Sequence, residues 1–301
     1  MDGLVEGLHE VAAATVTVTA EVHPSHPSVS VLGTERQGTG TVVDCTGGLV
    51  LTVNYIVLGA REATLTSIDG EAFVAQVVAH DFATGIALLQ AERGKVAAQV
   101  SAGSSHSLKS GQDVFTIASA GLAERRSSWG IVTSVEPFDA YWEYLLDRAI
   151  WTSSPNPGLG GGPLCDCRGR LVGIVSLNLG AVGRATLAIP SENYFDHAEE
   201  LLAHGRRTSR KLRAWLGMFC YSFPDRTIIA GLMSGGPGET CGLKVGDVIV
   251  RIDGEQVDGR AELYQRLWGH APGEKVEFYV FRDGSLTTVE VTGGDVDVFF
   301  A

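Results

Sequence analysis

Asn156-Pro157-Gly158-Leu159-Gly160-Gly161-Gly162-Pro163-Leu164 leads straight into two short apolar arms, PLCDC (163–167) and RLVGIVSL (170–177), separated by Arg168-Gly169. Glycine at that density leaves no helical period, so the segment reads as a loop feeding a hairpin. The same grammar recurs on either side of it. TVVDCTGGLVLTV (41–53) folds back about Gly47-Gly48, and Asp69-Gly70 parts REATLTSI from EAFVAQVV. Asp253-Gly254 and Asp283-Gly284 each sit between apolar arms farther on. Asp-Gly and Gly-Gly suit type I′ turns, whose two central residues both need positive φ. TVTVTAEV (15–22) alternates with threonine on one face. Five hairpins, with almost no long helical period before residue 190, predict an antiparallel barrel or sandwich. Helical period is expected only at Ser191–Ala203, with Ser191 as N-cap, and at Arg260–Gly269.

The chain has 301 residues, enough for two domains, and 38 of them are glycine, which excludes helical bundles and coiled coils. Hydrophobic residues make up 45% and charged residues 19%, the balance of a globular chain rather than a disordered one. A net charge of −12 opposes phosphate backbones and anionic lipid, so neither nucleic acid nor a membrane is an expected partner. Five scattered cysteines make no disulfide scaffold. Cys165 and Cys167 read as thiols beside a turn, since no second ligand pair accompanies them, and no metal or other cofactor is expected. No apolar run reaches the roughly 18 residues of a membrane span. Asp2, Glu6 and Glu10 precede the first basic residue, Arg36, unlike a signal peptide. A cytoplasmic protein, or an exported one already processed, is the expectation. The basic run Arg206, Arg207, Arg210, Lys211 and Arg213 reads as a solvated linker.

The glycine run sits where chymotrypsin-type proteases carry G-x-S-G-G-P-L, and here the chain resembles the HtrA (Deg) family. Leu51-Thr52-Val53-Asn54-Tyr55-Ile56-Val57 is similar to that family's L-T-N-x-H-V-V, and residues 81–89 (DFATGIALL) to its D-x-x-T-D-I-A-L-L. Glu35–Gly40, Trp129-Gly130-Ile131-Val132 and Leu187–Ser191 match further landmarks in order. The resemblance implies a mostly β chain with a two-barrel trypsin-like domain (residues 1–203). Residue by residue, the base position holds Tyr55, the orienting-acid position Gly85 and the nucleophile position Gly160. Glycine offers no nucleophile, and a phenol with a pKa near 10 is a poor base at neutral pH. Loss of all three leaves a residual acceleration of about 10³ to 10⁴ at most. On these residues the chain is expected to be a non-enzyme, a pseudoprotease whose emptied cleft holds but does not cut a peptide. The alternative is an endopeptidase with a relocated site; Ser153, Ser154, Asp81 and His80 are the nearest candidates, His80 reading as a solvent-facing strand-end residue. Gly158, Leu159 and Gly160 are expected to keep an oxyanion-like nest of backbone N–H groups.

Trp215-Leu216-Gly217-Met218 resembles the carboxylate-binding loop of PDZ domains, and residues 236–249 (GPGETCGLKVGDVI) are similar to a further PDZ pattern. This implies a PDZ domain at 214–293 after a linker at 204–213, with a tail at 294–301. Such a loop takes peptides or protein C-termini by cradling a carboxylate while the ligand adds a strand at a sheet edge. Leu216 and Met218 are expected to line the apolar pocket, opposite Ala261 and Gln265 on the following helix; the competing reading puts them in the domain core. An active HtrA relative is a second expected partner. Residues 1–40 contain no Phe, Tyr or Trp, so an aromatic N-terminal trimer contact is not expected, and Val11–Val18 reads as an edge strand or a contact with a neighbour.

Overall fold

The structure is a computed structural model that describes residues 2–179, 185–224 and 226–301. It divides into two compact units, residues 1–137 with 147–208, and residues 138–146 with 209–301.

In the first unit, helix α1 (Asp2–Ala13) precedes six strands: β1 (Thr15–Glu21), β2 (Glu35–Asp44), β3 (Leu49–Val53), β4 (Glu62–Thr66), β5 (Ala72–Asp81) and β6 (Ile86–Ala91). Short helices α2 (Val29–Leu32) and α3 (Asn54–Val57) sit in the connections. The strands close into a barrel in the order β1-β2-β3-β6-β5-β4. The second set is β7 (Ser101–Ala102), β8 (Asp113–Ser119), β9 (Arg125–Asp139), β10 (Leu145–Thr152), β11 (Pro163–Asp166), β12 (Arg170–Leu179) and β13 (Ala185–Pro190), followed by α4 (Glu192–Phe195) and α5 (Ala198–His204). Their order is β11-β8-β9-β10-β13-β12-β7, and β11 also pairs with β12, so six of them return on themselves. The two-barrel expectation is met.

β1 shows how the barrels are joined. Its valines are buried in the first barrel, and Thr15 and Thr17 on its other face are buried too. Thr17 Oγ1 reaches Ser119 Oγ and the carbonyls of Gly121 and Leu122, while Arg125 donates to Thr15 O at 2.9 Å and Thr66 O at 2.7 Å. The threonine face is therefore a polar seam, hydrogen-bonded as buried hydroxyls require. β1 is paired on both sides, to β2 and β4, so 11–18 is not an edge strand. Its first residues belong to α1, for which Leu, Glu and Ala supply the propensity.

Two further expectations change. Only Asp253-Gly254 and Asp283-Gly284 have both residues at positive φ; at 47–48, 69–70 and 168–169 the second residue alone does. In two of these three, an aspartate braces a wider turn: Asp44 Oδ1 accepts from the N–H groups of Thr46 and Gly47, and Asp166 Oδ1 from those of Arg168 and Arg170. The 191–203 helix is split into α4 and α5. Ser191 is already helical, with φ −63° and ψ −24°, so its hydroxyl does not cap and lies buried without a hydrogen bond.

The second unit contains β14 (Met218–Phe223), β15 (Arg226–Leu232), α6 (Pro237–Thr240), β16 (Val248–Ile252), β17 (Glu255–Gln256), α7 (Arg260–Leu267), β18 (Lys275–Arg282), β19 (Ser285–Thr292) and α8 (Val296–Phe299). The sheet order β14-β15-β16-β18-β19 leaves β14 at one edge, with β17 on β16. Leu216, Met218, Leu263, Tyr264, Leu267, Phe278 and Val280 are in its core. The Gly246-Asp247 step has a physical reason: buried Asp247 receives Arg282 through Nε (2.6 Å) and Nη2 (2.7 Å) and the N–H of Lys244 (2.8 Å). Residues beyond 293 continue this unit, with Phe299 and Phe300 packed on Trp215.

Candidate functional site

Tyr55 and Gly160 meet in the first unit, and Gly85 is bonded to the backbone of Asn54, next to Tyr55 in the chain. Tyr55 lies on α3, directly after β3, and Arg36 Nη1 reaches its carbonyl at 3.3 Å. Its hydroxyl donates to Ser176 O at 2.8 Å, and burial pushes the phenol up to about 12. Gly85 closes the turn begun by Asp81, donating to Asp81 O at 2.8 Å and accepting from Asn54 N at 2.7 Å. Its φ of +79° is a conformation that a residue with a Cβ adopts only under strain.

Gly160 faces the phenol. A Cβ there would fall on the Tyr55 hydroxyl and lie 3.1 Å from Ser176 O. The space beside Gly160 is therefore filled by the Tyr55 phenol, which corrects the expectation of an emptied cleft at this point. Neighbouring glycines are equally tight, since a Cβ on Gly161 or Gly162 would collide with the carbonyl of Thr39 or Ile117. Two of the three N–H groups expected in the nest are engaged elsewhere. Leu159 N donates to Ser119 O at 3.0 Å and Gly158 N to Asn156 Oδ1 at 3.3 Å, while Gly160 O accepts from Thr39 N at 2.7 Å.

The other candidates near this point do not form a triad. Ser154 is buried against Ser128 Oγ (3.1 Å), Ser153 Oγ accepts from Ile131 N (3.0 Å), and Asp81 accepts from Thr84 Oγ1 (2.8 Å). His80 is not solvent-facing. Its Nδ1 meets Asn54 Oδ1 at 2.5 Å, its ring stacks on Phe82, and burial together with His26 holds its pKa down to about 4.

In the second unit, Gly217 (φ +77°) turns the 215–218 loop so that its N–H groups converge. They converge on a carboxylate. Glu143 accepts from Leu216 N through both oxygens at 3.1 Å and from Met218 N at 2.8 Å, with Gly217 N contributing. Burial outweighs these bonds and lifts the Glu143 carboxyl to about 7. Leu216 and Met218 direct their side chains into the core, whereas Trp215 pairs with Gly294 and carries Phe299 and Phe300. On α7 the residues that meet the Glu143 segment are Arg260 and Tyr264; Ala261 is half-buried and Gln265 exposed. Sequence reasoning missed Glu143, Arg260 and Tyr264. The aromatic and acidic run Tyr141-Trp142-Glu143-Tyr144 was the available signal.

A trypsin-like peptidase domain profile matches residues 38–174, and a PDZ domain profile matches residues 210–292. A protein of Ectopseudomonas mendocina (strain ymp) named probable periplasmic serine endoprotease DegP-like is 32% identical over 290 residues, covering 90% of this chain and 59% of its own. A protein of Halomonas elongata with the same name is 31% identical over 293 residues, covering 90% and 60%. The chain belongs to the HtrA family. The HtrA-type protease AlgW with tripeptide superposes on this HtrA homologue with a TM-score of 0.58 at 22% identity, over 97% of this chain and 96% of that one. The serine endoprotease from Yersinia pestis gives 0.58 at 19% identity over 98% of each, and both likenesses concern the fold. The homologue spans about three-fifths of the length of these curated relatives.

Two expectations are corrected by these relatives. The reading of the chain as a non-enzyme gives way, because proteins about 30% identical over nine-tenths of it are named serine endoproteases. The cytoplasmic reading gives way as well, since the same proteins are named periplasmic. Among the described residues no helix is long and apolar enough to cross a membrane.

Proposed function

We propose that this HtrA homologue acts on polypeptide chains, capturing them by a carboxylate at the Leu216–Met218 loop with the captured segment laid along β14. One observation carries the reading: the loop's N–H groups already hold a carboxylate, that of Glu143, in the geometry a chain terminus would need. Peptide arrays presenting each sequence as a free acid and as an amide test it on the full chain. Retention of free acids over their amides is expected, and equal retention would end the proposal.

A second reading, serine-type endoproteolysis, is favoured by the names of the relatives. Its oxygen nucleophile must come from outside positions 55, 85 and 160. Exposed Ser25 Oγ lies 2.7 Å from His23 Nδ1, within reach for proton transfer to an imidazole base. Ser28 has a similar bond to His26 but is buried and also held by Arg36 Nη2 at 2.7 Å. Fluorophosphonate labelling with peptide mapping, run beside casein turnover, tests this. Label at Ser25 and turnover lost in Ser25→Ala support it; an unlabelled, inactive protein contradicts it.

A further inference from the structure

Residues 138–146 lie in sequence between the bulk of β9 and β10, yet they are compact with residues 209–301. Their path is that of a ligand strand. Trp142 pairs antiparallel with Phe219 on the edge strand β14, and Cys220 N donates to Tyr141 O at 2.5 Å. Tyr141 also packs on Phe219 and Tyr221, with ring centroids 6.0 and 5.9 Å apart. From the opposite wall, Tyr264 Oη on α7 donates to Ala140 O at 3.1 Å, and Arg260 holds both Asp139 Oδ2 (2.8 Å) and Asp139 O (3.2 Å). At the far end stands Glu143, its carboxylate on the N–H groups of Leu216 and Met218.

Strand addition, two walls and a carboxylate in the loop are the elements by which such a domain takes an external terminus. Here one continuous piece of the same chain supplies all of them. We propose that residues 139–143 are a built-in ligand of the PDZ domain, with the Glu143 side chain standing in for a terminal carboxylate, and that polypeptides with a free α-carboxylate bind by displacing it. The inference rests on the reading of the 216–218 loop as a carboxylate site and adds that this site is self-occupied. It also names a specificity element. Arg260, released from Asp139, is left to read an acidic side chain upstream of the incoming terminus.

The test uses the full chain and a dye-labelled probe, the free acid EPFDAYW copied from residues 136–142, with its amide as control. Fluorescence anisotropy gives the affinities. Glu143→Ala takes the competing carboxylate away, so at least tenfold tighter binding of the free acid is expected, with Glu143→Gln intermediate. Asp139→Ala, a surface-side change that spares the loop, is expected to tighten binding by a smaller factor and keeps the test open should Glu143→Ala fold poorly. In wild type, saturating probe is expected to speed hydrogen exchange in 138–146. If the free acid binds wild type and both variants with equal affinity and preference over the amide, the built-in ligand is refuted while the carboxylate reading stands. If the free acid and amide bind every variant equally, the carboxylate reading falls and takes the inference with it.

Discussion

Residues 158–162 and residues 215–218 are both glycine-punctuated loops, and each lies against a side chain from elsewhere in its own unit. At Gly160 that side chain is Tyr55, a phenol bonded to Ser176 O in space a residue with a Cβ would need. At Gly217 it is Glu143, an acid on converging N–H groups. The first arrangement is set by which side chains are present, so a substitution there changes its chemistry outright. The second is set by the backbone and persists under any sequence that keeps the turn. Functions carried by side chains are thus exposed to point substitution in a way that backbone-carried binding is not.

The largest expected effect probes whether the first loop is packed as tightly as described. Gly161→Ala places a Cβ on Thr39 O at a φ of +96°, and a loss of about 3–4 kcal/mol in urea unfolding is expected from strain and overpacking. A loss below about 1 kcal/mol would mean that the loop yields and that open space adjoins it.

Acid should move the two units in opposite directions. His80 has a folded pKa of about 4 against 6.5 unfolded, so the folded unit binds fewer protons in that window. Its stability contribution is complete above 6.5 and is lost as pH falls toward 4, by about 3 kcal/mol. His80→Gln should flatten that part of the unfolding profile. Glu143 has the reverse sign. Its docked carboxyl titrates near 7 against 4.5 when released, so docking is firm below 4.5 and weakens as pH rises through 7. Facing it are the Cys220 thiol and Tyr264 phenol, both pushed upward by burial, and the Arg260–Asp139 pair. Exchange of 138–146, corrected for intrinsic rate, should therefore be faster at pH 8 than at pH 5.5, and Glu143→Gln should remove the difference.

The smallest effect is a coupling. Gly160→Ser alone should destabilise by about 1–3 kcal/mol, and adding Tyr55→Ala should recover about 1–2 kcal/mol of it in a double-mutant cycle. Strict additivity would show that the phenol and Gly160 do not share the space.

Much of the fold was legible because hairpins announce themselves locally: alternating arms and Asp-Gly turns place the strands of both barrels and of the PDZ sheet. Positions 55, 85 and 160 were picked out by their flanking motifs, and of these Tyr55 and Gly160 meet in the structure. What the sequence did not carry was direction. It names Tyr55 without saying that the phenol turns into the Gly160 space, and it lists Gly158 and Leu159 without saying where their N–H groups point. Ala261 and Gln265 were one helical position away from Arg260 and Tyr264, an offset that rotates the chosen face by about 100°. The Glu143 segment was hidden by connectivity, since it folds with residues more than 70 positions onward.

That segment is tethered at both ends, so the groove faces it at a local concentration on the order of millimolar whatever the protein is diluted to. An arriving terminus must outbid a rival that never diffuses away. Stray, weakly fitting chain ends are then turned aside even when abundant, and occupancy is reserved for ends that fit well or arrive several at once. Under the built-in-ligand proposal the Glu143 contact acts as a threshold on which polypeptides are admitted.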